Sequence, residues 1–290
     1  MSASGHASDI LSAYAALLRR SPAAPDIAAS VLSADLAARD ARKPCALIFS
    51  PHPDDECLTG ALPLRLKHEQ GWQIVNVSVT LGSDKTRRAA RKTELAKACA
   101  VLGFDCILAD EDGFDAVTKQ TREENAPAWR KMVARLAQIT AHYAPKAVFM
   151  PHAHDAHPAH IGLAQLGIDA LASLPEEFIC SVALTEYWHP LDQPNLMIGL
   201  SQTDAAQLLS ALACHAGENA RNPFDARFPA YLIDNVRRGS ERVGGKGASV
   251  APMDFAMLYR FGLWKNGKLL PSALGRIFVS DQDLSELMGG

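Results

Sequence analysis

The stretch ALIFSPHPDDECLTG, residues 46–60, runs an apolar segment straight into a histidine and three consecutive acids. Ala46, Leu47, Ile48 and Phe49 read as a buried strand, and a strand core is a poor place for carboxylates. The side chains of His52, Asp54, Asp55 and Glu56 therefore need water, a cation or a reaction at the carboxyl end of that strand. In open parallel sheets this end borders the crevice where ligands bind. The chain is then expected to continue as a helix over 57–69, closed by Gly71.

Outward from this stretch, apolar runs and helical periodicity alternate. Strands are predicted over 45–49, 74–80, 106–108 and 147–150, with helices over 88–102, 127–143 and 158–173 between and after them. Strand, helix, strand, helix at this spacing implies an α/β protein with a parallel sheet and right-handed crossovers. From about residue 178 the pattern changes to two strands, 178–187 and 196–200, and a helix over 204–214. The basic, glycine-rich run 237–249 is expected to be a mobile loop able to close over the crevice, with Gly244, Gly245 and Gly247 letting it bend. Residues 1–42 are expected to form an N-terminal helical extension that offers surface for a homo-oligomer. Residues 43–290 then form the main domain, whose portion from about 200 completes the crevice.

A second cluster, PHAHDAHPAH at 151–160, follows the strand ending at Met150 as the first follows the strand ending at Phe49. Equivalent positions at strand ends let the two clusters meet in space despite their separation in sequence. A catalytic zinc commonly takes three ligands from His and carboxylate and keeps one position for water. His52, Asp55 and His160 make such a set. Pro53 restricts the turn, so that one aspartate can hold the metal while its neighbour Asp54 faces water and accepts its proton. His157, before a first-turn proline, can stabilise an oxyanion or protonate a leaving nitrogen. Asp155 can orient His157 or His160 through the second ring nitrogen. Glu56 suits the free N–H groups of a helix start, and His152 and His154 read as loop residues. Thiolates are absent from both clusters and one carboxylate is left over, which disfavours a purely structural zinc.

The chain has 290 residues, is 48% hydrophobic and 21% charged, and carries a formal net charge of −3. That mild acidity gives no global attraction to nucleic acid or to an anionic membrane. No apolar stretch approaches the length of a membrane span. The N-terminus carries its acid early and its arginines late, the reverse of a secretory signal, so a cytoplasmic protein is expected. The six cysteines lie apart without a C-x-x-C pair and read as buried, reduced thiols. The basic run DKTRRAARK, 84–92, lacks the interleaved aromatics of a nucleic-acid site.

These motifs resemble the PIG-L family of deacetylases, also called LmbE-like, which remove acetyl groups from N-acetylglucosamine-containing molecules. The first family signature appears as Pro51-His52-Pro53-Asp54-Asp55-Glu56 with Gly60. The helix signature appears as Arg91, Glu94, Ala98, Leu102 and Gly103, and the late one as Asp155, His157, Pro158 and His160. The similarity spans about residues 44–200. It implies a Rossmann-like three-layer sandwich with a mostly parallel sheet. It also implies one divalent metal, Zn2+ with Fe2+ as the alternative, on His52, Asp55 and His160, with Asp54 as general base and His157 supporting the tetrahedral intermediate. Arg91 is implied as a substrate contact. Two departures stand out: Ala159 replaces an acid common in relatives, and His215 is followed by Gly217 and Glu218 where relatives carry Ser and Gln.

The resemblance thus implies a zinc-dependent deacetylase that frees acetate and an amine from a small acetylated amino sugar or sugar conjugate. The alternatives are an amidase on another N-acyl or thiol conjugate, and an impaired metal- or sugar-binding protein.

Overall fold

The computed structural model describes residues 3–36, 38–272 and 275–288. Its strands are β1 (Cys45–Ser50), β2 (Gln73–Ser78), β3 (Asp105–Leu108), β4 (Ala147–Pro151), β5 (Cys180–Thr185), β6 (Leu196–Leu200), β7 (Phe255–Lys265), β8 (Lys268–Pro271) and β9 (Arg276–Phe278). The helices are α1 (Ala3–Leu17), α2 (Asp55–Leu58), α3 (Ala61–Gln70), α4 (Arg88–Leu102), α5 (Lys119–Glu124), α6 (Ala126–Tyr143), α7 (Pro158–Ala172), α8 (Gln202–Ala213), α9 (Ala216–Asn219), α10 (Phe224–Gly244) and α11 (Ser285–Met288).

One sheet runs in the order β3-β2-β1-β4-β5-β7-β6-β9, with β8 added on β7. The first five strands pair in parallel, whereas β7 is antiparallel to both β5 and β6. Every residue of β1 is buried, and its side chains divide by alternation. Ala46 and Ile48 join Leu62, Leu95, Leu208 and Phe228 on one face. Cys45, Leu47 and Phe49 join Leu136, Ile139, Leu163 and Leu166 on the other. Helices therefore cover both faces, which is the expected α/β three-layer, Rossmann-like sandwich.

The chain lays β2 and β3 to one side of β1 and then crosses to place β4 on the other. The carboxyl ends of β1 and β4 thus flank the point where the strand order reverses, the usual place for a ligand crevice in such sheets.

Several expectations need correction. The helix predicted over 57–69 is two helices, α2 and α3, broken at Thr59 and Gly60. The N-terminal extension is helical only through α1; Pro22 and Pro25 follow it, and no helix forms over the described part of 27–39. The reason lies in the sheet. Leu108 N–H of β3 donates to Ser33 O at 2.9 Å, and Leu32 and Leu36 pack on the two cores. An exposed edge strand recruits this segment as cover. The run 237–249 is not a loop as far as Gly244, because α10 extends through it. Val236, Gly239, Ser240 and Val243 form its buried stripe at helical spacing. Gly239 is needed there: a Cβ would stand 2.4 Å from Met197 Sδ and 2.5 Å from Leu258 Cδ2. Strands β7, β8 and β9 have no counterpart among the expected elements.

Candidate active site

The histidine and acids of the first cluster leave β1 in a tight turn. His52 N–H donates to Asp55 Oδ2 at 2.9 Å, and Asp54 O accepts from Cys57 and Leu58 N–H at 3.0 and 3.1 Å as α2 begins. Asp54 adopts φ 124°, a region L-residues rarely enter. The second cluster leaves β4 and enters α7. His157 caps that helix, its Nδ1 accepting Ala159 N–H at 3.2 Å, with Pro158 in the first turn. Asp155 Oδ1 accepts His157 N–H at 2.8 Å.

The two clusters converge. His52, His157 and His160 form a triangle with ring centroids 4.8, 5.2 and 5.3 Å apart, and their donor atoms lie within 4.8 Å of one another. Asp55 Oδ2 stands 3.6 Å from His52 Nδ1 and 3.5 Å from His160 Nε2. A tetrahedral ion with ligand bonds of about 2.0–2.2 Å holds its donors roughly 3.3–3.6 Å apart. His160 Nε2 is buried without a hydrogen-bond partner. Spacing, donor types and that unpartnered nitrogen all suit a divalent cation held by His52, Asp55 and His160.

Protonation separates the histidines by task. His160 Nδ1 lies 3.5 Å from Asp155 Oδ2, which favours a proton on Nδ1 and a lone pair on Nε2. His157 is the reverse: Nδ1 accepts from Ala159, so the neutral ring carries its proton on Nε2. A nitrogen bearing a proton donates hydrogen bonds and does not ligate. Burial, then the neighbouring His52 and His160, bring the His157 pKa down to about 4, so the ring is neutral near pH 7. Burial opposes the charge on Asp55, but His160 and His52 outweigh it and hold the carboxyl at about 2. Burial and adjacent Asp55 push Asp54 well above the ordinary carboxylate range.

These groups open into a crevice of ≈ 450 Å³ bordered by His52, Asp54, Asp55, Arg91, His157 and His160. Asp155 lies behind His160 and does not border it. Arg91 is buried, its Nη2 3.2 Å from Pro53 O and 3.7 Å from Asp54 Oδ2, its Nη1 3.4 Å from Leu81 O. His152 turns away, Nε2 2.9 Å from His189 O. Asp84 accepts from Thr86 N–H at 3.0 Å and caps a short 3₁₀ turn.

Sequence reasoning missed Glu218 and Phe224 on the other wall. Glu218 receives Arg87 at 3.1 Å and Asn222 at 2.9 Å, with Arg91 at 3.8 Å. Phe224 lies edge-on to Trp188, which is 46% exposed and stacks over His157 at 6.4 Å between centroids. These side chains follow β5 and α8, so only the fold brings them here. His215 Nε2 stands 2.7 Å from Glu56 Oε1, both fully buried, although His215 carries little weight in the sequence motifs.

Comparison with known proteins agrees with this architecture. Residues 47–171 match the PIG-L family, described as GlcNAc-PI de-N-acetylase. No curated protein matches the chain. Among solved structures, the conserved protein TT1542 from Thermus thermophilus superposes with TM-score 0.58 at 20% identity, covering 81% of this chain and 96% of its own. GalB, the 4-carboxy-2-hydroxymuconate hydratase of Pseudomonas putida, gives 0.58 at 17% identity over 75% and 95%. The N,N'-diacetylchitobiose deacetylase of Pyrococcus horikoshii gives 0.54 at 16% identity over 80% and 88%. At such identities these likenesses show a shared fold. No helix among the described residues is long and apolar enough to cross a membrane.

Proposed function

The chain carries a PIG-L family domain over residues 47–171, and from that premise we propose that it is a metal-dependent hydrolase of an N-acyl amide, its substrate an N-acetylated amino-sugar derivative. The observation that carries this reading is Asp55 Oδ2 standing 3.6 Å from His52 Nδ1 and 3.5 Å from His160 Nε2, beside a second, separately held carboxylate on Asp54. A divalent cation on those three donors supplies Lewis acidity, polarising a carbonyl and lowering the pKa of water.

Asp54 accepts the proton of the attacking water, a task suited to a carboxylate whose burial, with Asp55 beside it, raises its basicity. The water oxygen bonds to the acyl carbon. His157, neutral with its proton on Nε2, donates a hydrogen bond to the oxyanion that forms. With alanine at 159, no carboxylate at that position raises the basicity of His157, which favours this donor role over proton transfer. The C–N bond then breaks, and protonated Asp54 returns its proton to the departing nitrogen, leaving a carboxylic acid, which ionises on release, and a free amine.

The amino-sugar part of the proposal rests on the wall. Trp188 offers a half-exposed aromatic face for the C–H face of a pyranose, and Arg91 offers a hydrogen bond to a hydroxyl next to Asp54. Zinc is the proposed ion, and the histidine-carboxylate set accepts Fe2+ as well.

The test is acetate release from a panel of N-acetylated sugars, nucleotide sugars and thiol-sugar conjugates. Asp54→Asn should cost about 10²–10⁴ in rate, on the order expected of a general base, with metal content retained. Rates that survive both this substitution and chelation would overturn the mechanism. The panel includes an unsaturated tricarboxylic acid, because a structural relative is named a 4-carboxy-2-hydroxymuconate hydratase; hydration of it without acetate release would replace the substrate assignment.

A further inference from the structure

Asp54 is held in its backbone conformation by groups that the catalytic scheme does not use. Its φ of 124° differs from those of Ala116, Ala144 and Asn266, the other non-glycine residues with positive φ among the described residues, which lie at 41–53° in the ordinary left-handed well. Such a conformation is strained and persists only where surrounding contacts enforce it. Two contacts do so here. Asp54 C=O is fixed by the first turn of α2, and Asp54 N–H donates to Glu56 Oε2 at 3.0 Å.

Glu56 is itself fixed. Its other oxygen, Oε1, lies 2.7 Å from His215 Nε2 and 3.4 Å from Cys57 Sγ. A carboxylate only accepts, so the imidazole donates. Glu56 is 0% and His215 1% exposed, so no solvent screens the pair. His215 sits between α8 and α9, outside the residues that match the family. A second metal at Glu56, Cys57 and His215 is disfavoured, because 2.7 Å is a hydrogen-bond distance and too short for two ligands on one ion.

We infer that His215 and Glu56 are positioning residues: they lock the backbone of Asp54 so that its carboxylate faces the crevice instead of following Asp55 toward the cation. The inference rests on the proposed role of Asp54 as proton acceptor. It also gives the C-terminal half of the chain a part in the reaction without contact with substrate.

The experiment combines His215→Gln and Glu56→Gln with Asp54→Asn, all assayed as zinc-loaded full-length protein. Each single positioning variant should keep one metal per chain and lower kcat about 10–100-fold, the scale of a small misplacement of a reacting group, with KM little changed. In the Asp54→Asn background either change should cost nothing further. A crystal structure of Glu56→Ala, which removes the acceptor of Asp54 N–H, should show Asp54 relaxed to negative φ, a readout independent of activity. The same loss in both backgrounds, or an unchanged kcat and Asp54 φ in the folded variants, would overturn the inference. If one variant fails to fold, the other carries both readouts. If Asp54→Asn alone leaves the rate intact, the functional reading fails instead, and the Asp54 φ still decides whether Glu56 holds that backbone.

Discussion

His160 Nε2 lies 3.5 Å from Asp55 Oδ2, yet no protein group among the described residues hydrogen-bonds to it. A buried imidazole nitrogen without a partner is costly, and Asp155 Oδ2 behind the same ring is also without a hydrogen bond. A cation on Nε2 relieves both, because it draws the ring's remaining proton firmly onto Nδ1 and toward Asp155.

Metal binding is therefore the first prediction. Calorimetric titration with Zn2+ should give one site per chain, lost in His160→Ala. Asp155→Asn should weaken affinity about 10–100-fold, the usual effect of removing a group that orients a ligand histidine. At free metal one hundred times Kd, the folded state should gain about 2.7 kcal/mol. Parent-like affinity in Asp155→Asn would show that Asp155 does not set the His160 tautomer.

Gly162 leads to the second. It lies in the second turn of α7, where a Cβ would meet Val117 O at 2.2 Å, Val117 C at 2.5 Å and Thr118 Cα at 2.7 Å. These are backbone atoms, so Gly162→Ala must push residues 117–118 outward. Val117 and Thr118 border the crevice. Overpacking of this kind costs about 1–3 kcal/mol, and KM should rise with kcat less affected. Denaturant midpoints and steady-state kinetics check both; parent values for both would mean that the segment shifts freely.

The convergence of His52, Asp54, Asp55, His157 and His160 was largely legible because these residues crowd two short segments at the ends of predicted strands. Strands β1 and β4 were read from continuous apolar runs, and equivalent positions at the ends of parallel strands let their clusters meet; that the two strands are direct neighbours is shown only by the fold. The opposite wall was legible only at Trp188, which directly follows the predicted strand 178–187. Trp188, Glu218 and Phe224 lie in separate segments whose meeting depends on β7 running antiparallel between β5 and β6. The helix α10 was hidden by composition: Arg237, Arg238, Glu241 and Arg242 made the segment look like a solvated loop. Its buried stripe is carried by small residues such as Gly239 and Ser240, which hydropathy reads weakly. The segment 27–39 failed for the converse reason. Its periodicity favours a helix, but hydrogen bonding along the edge of β3 prevails.

Acid sensitivity gives the third prediction. Burial alone would raise the Asp169 carboxyl, but Arg122, at 2.8 and 3.0 Å, and the Trp129 indole N–H, at 2.8 Å, hold it below its ordinary value. A depressed folded-state pKa gives stability that is present above the unfolded pKa of about 3.9 and lost as pH falls through the folded value. Asp169→Asn should be less stable than the parent at pH 7, and the gap should close on acidification below about pH 4. Denaturant unfolding at a series of pH values measures it. A gap independent of pH would mean that the charge on Asp169 contributes nothing.

The fourth prediction concerns the joint between α2 and α3, shortly after Asp55, the proposed carboxylate ligand. Tyr259, 1% exposed in the middle of β7, donates its hydroxyl to Thr59 O at 2.7 Å and accepts Leu62 N–H at 3.0 Å. The orphan carbonyl ending one helix and an orphan N–H beginning the next are thus satisfied by one side chain from the C-terminal half. Ala61 N–H is met from the same strand, by Met257 Sδ at 3.2 Å. Tyr259→Phe keeps the packing and removes only the oxygen, so both backbone groups are left buried without partners. The cost should be about 1–3 kcal/mol for such unsatisfied groups, seen as a lower denaturant midpoint with an unchanged slope. Zinc affinity should stay within about twofold, because the donors are fixed by Asp55, Asp155 and the β1 turn, not by this hydroxyl. A joint loss of stability and zinc affinity would show instead that β7 sets the ligand geometry through α2, and the C-terminal half would then hold the metal site as well as the base.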